Sequence, residues 1–301
     1  MKPFLTLIAF VGVMSVCVAQ TVSVELNLEK GATYSQQSSS TSIVKQSYAG
    51  QDIEMTINLG GKMSFKVLTV TNTGYDVEAQ YERLYMTMDM PTGTMEYSSD
   101  NAAPGDIMSG MFAAMMHRPF QMTITRHGKV TEIRNMSNLF EGAFEKYELT
   151  DEQKQQVMAS LSQSFGEEAL KGNLEMTMAV FPTGPVAVGG TWTTETELRS
   201  TMQAAVKTTY KLDAIEGDYY VISGKSEIRT KVNTDPSAPM TYDMTGTMTS
   251  RIKLAKKTGW ISDGSYKQSI SGKAVFPDNP QMPGGMEVPM SIDGEVLVAD
   301  K

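Results

Sequence analysis

The sequence predicts an α+β fold: a mostly antiparallel, twisted β-sheet from two β-rich pseudo-repeats, with a helical insertion covering one face of the sheet. Three observations lead to this prediction. Polar and apolar residues alternate over long stretches on both sides of the middle of the chain, as in half-buried strands. Residues 136–172 instead carry apolar side chains at helical spacing. Several turn motifs recur in the same order in both halves.

The first 19 residues have the features of a secretory signal peptide. Lys2 supplies the positive start, an apolar run follows, and Cys17 and Ala19 are the small residues that a signal peptidase recognises. The apolar run is too short to span a bilayer as a helix. We therefore expect an exported protein, periplasmic or extracellular, whose mature chain begins at Gln20.

Cys17 is the only cysteine, and it lies within the signal peptide. The mature chain is therefore expected to fold without a disulfide, even though exported compartments are oxidising. A lipoprotein anchor would use Cys17 as its acylated first residue, but that processing needs a small residue before the cysteine, and Val16 is not small. We expect no lipid anchor at Cys17.

Composition narrows the classes of function. The 301 residues include 26 basic and 34 acidic side chains, and the net charge of −8 disfavours binding to nucleic acid. Beyond the signal peptide, no segment is apolar for long enough to span a membrane. Only two histidines are present, although most hydrolytic and metal sites use histidine. The 24 methionines are the one unusual count.

Strands fill the first part of the mature chain. Residues 21–28 alternate strictly, with Val24, Leu26 and Leu28 on one side, which predicts a half-buried strand. Residues 33–47 are rich in Ser, Thr and Gln and predict a long exposed strand. The next predicted elements are strands at 63–71 and 75–90, a short helix or buried loop at 107–116, and a hairpin that joins 120–127 to 129–134 around Gly128.

Helices are predicted in the middle of the chain. Apolar residues at helical spacing indicate a first helix over residues 136–147. Thr150 and Gln153 are placed as a capping box that opens a second helix. Ser164 and Glu167 have the same spacing and predict the start of a third helix, which ends near residue 172.

Strands return after Pro182, at 191–198, 204–213, 219–230, 240–254, 260–276 and 290–298. The segment 277–289 holds four prolines and two adjacent glycines, which predicts a loop or lid. The basic residues between 251 and 257 are interpreted as a solvated face, with contact to acidic headgroups as the alternative. The domain prediction is a signal peptide (1–19), a first β-rich half with the helical insertion (20–181) and a second β-rich half (182–301), which form one compact unit.

The same turn motifs resemble an uncharacterised family of secreted proteins from Bacteroidota-type bacteria, the domain-of-unknown-function family number 6263. The resemblance covers nearly the whole mature chain. Its motifs are Leu28-Glu29-Lys30-Gly31-Ala32-Thr33-Tyr34, Gly128-Lys129-Val130, Phe181-Pro182 followed by Val188-Gly189-Gly190-Thr191-Trp192, and Thr258-Gly259-Trp260-Ile261. The resemblance implies export and a β-rich architecture, and it implies no activity and no site residues.

Hydrolytic chemistry has little support in the sequence. No Gly-x-Ser-x-Gly elbow is present. Ser42 with Lys45, and Ser250 with Lys253, have the spacing of a serine–lysine dyad, but both pairs lie in predicted strands, whereas the dyad needs a helix. Few aromatic residues accompany the carboxylates that a glycoside hydrolase would need. We expect a non-catalytic protein, with an envelope hydrolase as the distant alternative.

No metal or cofactor site is predicted. Three methionine-rich stretches resemble the thioether clusters that hold Cu(I): residues 86–90, residues 176–178 and Met115-Met116-His117. A spacing of two along a strand, however, places side chains on one face, where a core needs apolar residues. Short turn sequences such as Asp263-Gly264 lack a full set of calcium ligands.

The methionines are the candidate ligand-binding residues, because flexible, polarisable side chains suit irregular apolar ligands. The candidates form rows on predicted strands and in the proline-rich segment: Met86, Met88, Met90, Met240, Met244, Met248, Met282 and Met286. A fully packed, methionine-rich core is the alternative. The predicted function is a non-catalytic cell-envelope protein that binds an apolar or lipid-like small molecule or an envelope protein. A structural or interaction protein without a small ligand is the alternative, and the oligomeric state is left open.

Overall fold

A computed structural model describes residues 20–300, except 49, 104–105, 143, 145–146, 148, 200–201, 232–239 and 279–282. The signal peptide predicted over residues 1–19 lies outside the described residues. Strands make up most of the described chain. They are β1 (Thr21–Val22), β2 (Thr33–Tyr48), β3 (Gln51–Val70), β4 (Gly74–Met90), β5 (Gly93–Ser98), β6 (Phe120–Thr125), β7 (Val130–Arg134), β8 (Val186–Ala187), β9 (Thr191–Arg199), β10 (Gln203–Glu216), β11 (Tyr219–Thr230), β12 (Thr241–Ala255), β13 (Ile261–Phe276) and β14 (Met286–Ala299).

Twelve of these strands form one antiparallel sheet. Its order is β7-β6-β4-β3-β2-β14-β13-β12-β11-β10-β9, and β5 pairs with the last residues of β4. Strands β1 and β8 form a separate short pair. The prediction of a mostly antiparallel sheet is confirmed. The first half of the chain supplies one side of the sheet and the second half the other, joined where β14 pairs with β2; the pseudo-repeat itself stays a prediction.

Three α-helices accompany the sheet: α1 (Ile107–Met115), α2 (Asp151–Phe165) and α3 (Glu167–Met178). The predicted capping box at the start of α2 is present, since Thr150 accepts from the Gln153 amide and the Gln153 side chain accepts from the Thr150 amide. The helix predicted over 136–147 is a 3₁₀ helix of five residues, Met136–Phe140. Gly166, not Ser164, caps the start of α3.

Helix α3 lies between the two end strands of the sheet. The carboxylate of Glu175 accepts a 2.9 Å hydrogen bond from the backbone amide of Val130 on β7. On the opposite side, Glu168 forms a 2.7 Å ion pair with Arg199 on β9. The sheet therefore curls until both of its ends reach one helix. The helical insertion was predicted to cover a face of the sheet. Phe165 of α2 stacks on Tyr81 of the inner face and on Phe112 of α1, while α3 bridges the gap between the ends of the sheet.

The alternation predicted for residues 21–28 is present, but these residues do not form a sheet strand. Val24, Leu26 and Leu28 are buried as expected, whereas only Thr21 and Val22 pair with another strand, β8. The backbone amide of Leu26 donates to the carbonyl of Arg126, and that of Asn27 donates to Thr258. The segment thus crosses from the β6–β7 turn to the β12–β13 turn. We call this end of the sheet the base.

The core fills the side of the sheet that faces the base segment and α3. This inner face carries Phe65, Val77, Ile222 and Leu254, all of them buried. Trp260 completes the base: its indole donates a 2.9 Å hydrogen bond to the carbonyl of Ser35. Strand β4 contains a bulge, since Lys62 pairs with Arg83 and Met63 with Tyr81. Odd-numbered residues of β4 face inward before the bulge, and even-numbered residues face inward after it.

The last strand extends further than its proline indicates. Strand β14 begins at Met286, four residues before the predicted strand, and Val288 is buried. Pro289 pairs with Lys273 of β13, while pairing with β2 begins at the following residue, Met290. Proline has no amide hydrogen, so it is tolerated where pairing on one side of a strand stops. The predicted loop over 277–289 therefore ends before Met286, and its residues 279–282 lie outside the described residues.

Candidate apolar ligand-binding face

Strand register defines which side chains share the inner face. Direct cross-strand partners lie on the same face, so the sheet can be followed row by row from β4 to β9. One row contains Met86, Leu59, Ser40, Val296 and Tyr266, all connected by observed pairings. Rows nearer the base are filled by the core. Rows at the opposite end carry further apolar side chains, some buried, such as Met244 and Ile270, and others half-buried.

We call this second region the upper inner face. Its members are apolar, belong to six neighbouring strands and are half-buried or buried, except for Leu59. They are Val44, Ile53, Met55, Ile57, Leu59, Met86, Met88, Met90, Met244, Ile270, Ala274, Met286, Val288, Met290 and Ile292. Leu59 is 39% exposed although it points to the inside of the sheet. Half-exposed apolar side chains on a concave face are typical of a ligand-binding surface.

Charge is confined to the outer face. In β2–β4 and β9–β14, no inner-facing position within the described ranges is occupied by Asp, Glu, Lys or Arg. Three inner-facing tyrosines also stay neutral at physiological pH, and burial raises the pKa of one of them, Tyr210, to about 12. Burial likewise raises the pKa of Tyr81 and Tyr266 well above their ordinary value. The upper inner face is thus uncharged across the physiological pH range.

The structure places most of the predicted methionines on this face. Met86, Met88 and Met90 are half-buried, and Met86 packs against the core. Met244 and Met248 are buried on the inner face of β12, and Met240, just before that strand, is half-buried.

Met286 is half-buried and pairs with Phe276, whereas Met282 lies outside the described residues. The methionines of β4 and those of β12 share the inner face but do not meet along the sheet, because four strands separate β4 from β12. They are parts of one broad surface.

Sequence reasoning missed the first half of β3. Ile53, Met55, Ile57 and Leu59 contribute a continuous row to the upper inner face. The signal was present, since these four residues alternate with polar ones, as in a half-buried strand.

The base leaves no room for a ligand. The apolar cavity between Leu26, Met178, Phe181 and Trp260 measures about 10 Å³. That volume is enough for roughly one water molecule. A ligand on the inner side of the sheet would therefore have to lie beyond the base, on the upper inner face.

The structure does not bring the predicted dyad residues together. Ser42 lies on the inner face, whereas Lys45 lies on the outer face and pairs with Glu54 at 3.3 Å. Ser250 and Lys253 are divided between the two faces in the same way.

The basic stretch at 251–257 is largely paired. Lys257 forms a 2.7 Å ion pair with Glu29, and Lys253 lies 4.0 Å from Glu216. Lys256 donates to the carbonyl of Gly217. These contacts favour the interpretation of a solvated face.

A family model described as "Family of unknown function (DUF6263)" matches residues 72–261. The chain belongs to this family. The match runs from just before β4 to the first residue of β13 and includes the helices, whereas β2, β3 and β14 lie outside it. A comparison with curated proteins gives no match.

Solved structures resemble the fold. One, described as "Lipid-protein interactions in lipovitellin", has a TM-score of 0.50 and 8% identity and covers 91% of this chain. The DUF6263 chain spans only 25% of that protein. An outer membrane channel from Pseudomonas putida F1 has a TM-score of 0.22 and 9% identity, with 91% of this chain and 97% of the channel covered. The likeness to lipovitellin shows the fold alone, and the channel is too dissimilar to add to it.

No helix among the described residues is both long and apolar enough to cross a membrane.

Proposed function

We propose that this DUF6263 protein is an exported, non-catalytic protein of the cell envelope that holds an apolar or lipid-like ligand on the upper inner face. The observation that carries the proposal is the exposure of apolar, uncharged surface on the inside of a curled sheet. Soluble proteins rarely leave such surface open unless something binds there. The signal peptide at residues 1–19 and the unsuitable residue before Cys17 favour release in unanchored form.

The dimensions of the upper inner face suit a long acyl chain. From Ile53 to Leu59, seven residues of β3 rise roughly 20 Å along the strand. Six neighbouring strands give a width of roughly 25 Å across the sheet. Methionine side chains can adjust to chains of different length or unsaturation, because they are flexible and polarisable.

The likeness in fold to lipovitellin supports this proposal. The lipovitellin structure is described as one of lipid–protein interactions. An open antiparallel sheet that curls around its own inner face can enclose lipid without being a closed barrel. Because the DUF6263 chain corresponds to a quarter of that protein, the comparison concerns the shape of the sheet and nothing of its larger assembly.

A matched pair of leucines tests the proposal. Leu59, 39% exposed, faces inward, whereas Leu297, 48% exposed, lies on the outer face of β14, two strands away. Leu59→Asp should abolish binding of the neutral dye N-phenylnaphthylamine, because it places a charge on the apolar surface. Leu297→Asp should leave dye binding unchanged. Equal dye binding by both variants and the wild-type protein would refute a ligand site on this face.

An interaction protein without a small ligand is the second candidate, and the same apolar face supports it. In that case a protein partner would cover the upper inner face. Native mass spectrometry of protein purified from its own envelope separates the two candidates. A retained lipid mass supports the carrier, and a retained polypeptide mass with no lipid supports the interaction protein.

A further inference from the structure

A row of polar side chains crosses the inner face in line with Ile57, one row further from the base than Leu59. Its members are direct pairing partners on six neighbouring strands and, apart from Gly294 and Met248, each has a hydrogen-bonding side chain. The row runs Ser42, Gly294, Gln268, Met248, Ser226, Thr208. We call it the polar belt. The polar belt crosses the proposed ligand site.

Two members of the polar belt converge on one glycine. Gly294 lies on β14, between Ser42 on β2 and Gln268 on β13. A Cβ atom at position 294 would be 3.1 Å from Gln268 Nε2 and 3.3 Å from Ser42 Oγ. The absence of a side chain at Gly294 thus leaves space that both polar groups border.

Some of these polar groups have no hydrogen-bond partner among the described residues. Thr208 and Ser226 satisfy each other through a 2.8 Å hydrogen bond. By contrast, the side chains of Ser42 and Gln268 form no hydrogen bond within the described part of the chain. The hydroxyl of Ser250, diagonal to Gln268 on the neighbouring strand, is buried and also without a partner among the described residues. Unpaired polar groups therefore cluster at one place on the inner face.

We propose that Gln268 and Ser42 donate hydrogen bonds to an uncharged carbonyl oxygen of the ligand, as in the ester or amide groups of a neutral acylated lipid. The amide and hydroxyl are donors that a carbonyl acceptor satisfies. The acyl chains then lie on the upper inner face. This inference rests on the proposed function and names the chemical class of its ligand.

Two other classes of ligand fit less well. A fatty acid or phospholipid headgroup placed at the polar belt would bury a negative charge where the described residues offer no inner-facing cation, and an unpaired buried charge is strongly unfavourable. A pure hydrocarbon would leave the donors of Gln268 and Ser42 unpaired, which also weakens binding. A neutral ester avoids both penalties.

Displacement of N-phenylnaphthylamine by three competitors tests the inference: dioleoylglycerol, oleate at alkaline pH, and squalene. The wild-type protein should bind dioleoylglycerol more tightly than squalene, by about two- to tenfold for each hydrogen bond. The double variant Ser42→Ala/Gln268→Leu should lose this preference and still bind squalene. Gln268→Met, which is unbranched and of similar length, is the substitute if the leucine variant does not fold.

Outer-face serines on the same two strands provide the control. Ser39→Ala and Ser269→Ala should leave the preference for dioleoylglycerol intact. A protein that binds the dye but shows no such preference, or a double variant that retains it, would overturn this inference and leave the proposed function standing. Tighter binding of oleate than of dioleoylglycerol would overturn it as well. A wild-type protein that does not bind the dye contradicts the proposed function itself.

Discussion

The backbone amide of Val130 donates a 2.9 Å hydrogen bond to the carboxylate of Glu175. Val130 is buried and lies on β7, one of the two strands with which the sheet ends. An end strand has amides without a neighbouring strand to accept from them. A side chain of α3 thus supplies the acceptor that another strand would have supplied in a closed barrel.

This hydrogen bond can be tested by two substitutions at one position. Glu175→Leu should lower the free energy of unfolding by about 1–3 kcal/mol, because it leaves the buried amide of Val130 without an acceptor. Glu175→Gln keeps an acceptor oxygen and should cost less. Urea unfolding measures both. Equal losses for the two variants would show that the hydrogen bond is unimportant for stability.

Close packing of α3 against β9 gives a second prediction. A Cβ atom at Gly172 would lie 2.9 Å from the carbonyl oxygen of Glu197 and 3.3 Å from the Cα of Leu198. Gly172→Ala should therefore lower the melting temperature, although alanine favours a helix by about 1 kcal/mol over glycine. Asn173→Ala, on the exposed side of the same helix, should raise it slightly. A more stable Gly172→Ala protein would contradict the packing described for this helix.

The methionines of β4 distinguish a ligand site from a packed core. Changing Met86, Met88 and Met90 together to threonine should abolish dye binding with only a modest loss of stability, since all three are half-buried. Met122→Thr is the control, because Met122 is fully buried and large-to-small changes in a core typically cost about 2–5 kcal/mol. An unfolded triple variant would favour the packed core.

Acid should weaken the ion pairs that Glu197 of β9 forms with Arg199 and Lys231. Hydrogen bonds from Lys231 and Arg199 lower the pKa of Glu197 from 4.5 to about 2. A carboxylate with a lowered pKa stabilises the fold above its ordinary pKa, and this stabilisation is lost as the pH falls from 4.5 towards 2. Glu197→Gln should therefore reduce the slope of unfolding free energy against pH in this range. Glu195→Gln, without an ion pair in the described structure, should leave the slope nearly unchanged.

Export gives a prediction that does not depend on the fold. Expressed in its own host, the mature protein should begin at Gln20 and be released without detergent, because Cys17 and Ala19 suit ordinary signal peptidase. Amino-terminal sequencing and osmotic shock measure this. Incorporation of a labelled fatty acid at Cys17 would show a lipoprotein instead.

Local patterns were sufficient to predict most elements and their buried sides. The alternation of Val24, Leu26 and Leu28 correctly indicated burial, and Thr150 with Gln153 correctly indicated a helix start. Both signals depend on neighbours in the chain. The same alternation could not show that the segment at 21–28 bonds to two distant turns, at Arg126 and Thr258, because those contacts arise only from the completed fold.

The candidate site was predicted in part. The spacing of Met86, Met88 and Met90 placed them on one face, but the sequence could not indicate which face. A bulge between Tyr81 and Arg83 turns the later residues of β4 over, so that these methionines share a face with Tyr81. The sequence could not show the strand order either, because the partners Ser42, Gly294 and Gln268 come from opposite ends of the chain. Their convergence depends on the pairing of β2 with β14, for which no local pattern exists.

The gap between the end strands has an evolutionary consequence. In a closed barrel, the diameter is set jointly by the number of strands and their stagger, so changing its capacity requires the whole circumference to change. Here the circumference is completed by one helix, α3. Substitutions confined to that helix can widen or narrow the interior while every strand pairing is kept. Related proteins with the same sheet are thus free to differ in the width of the interior.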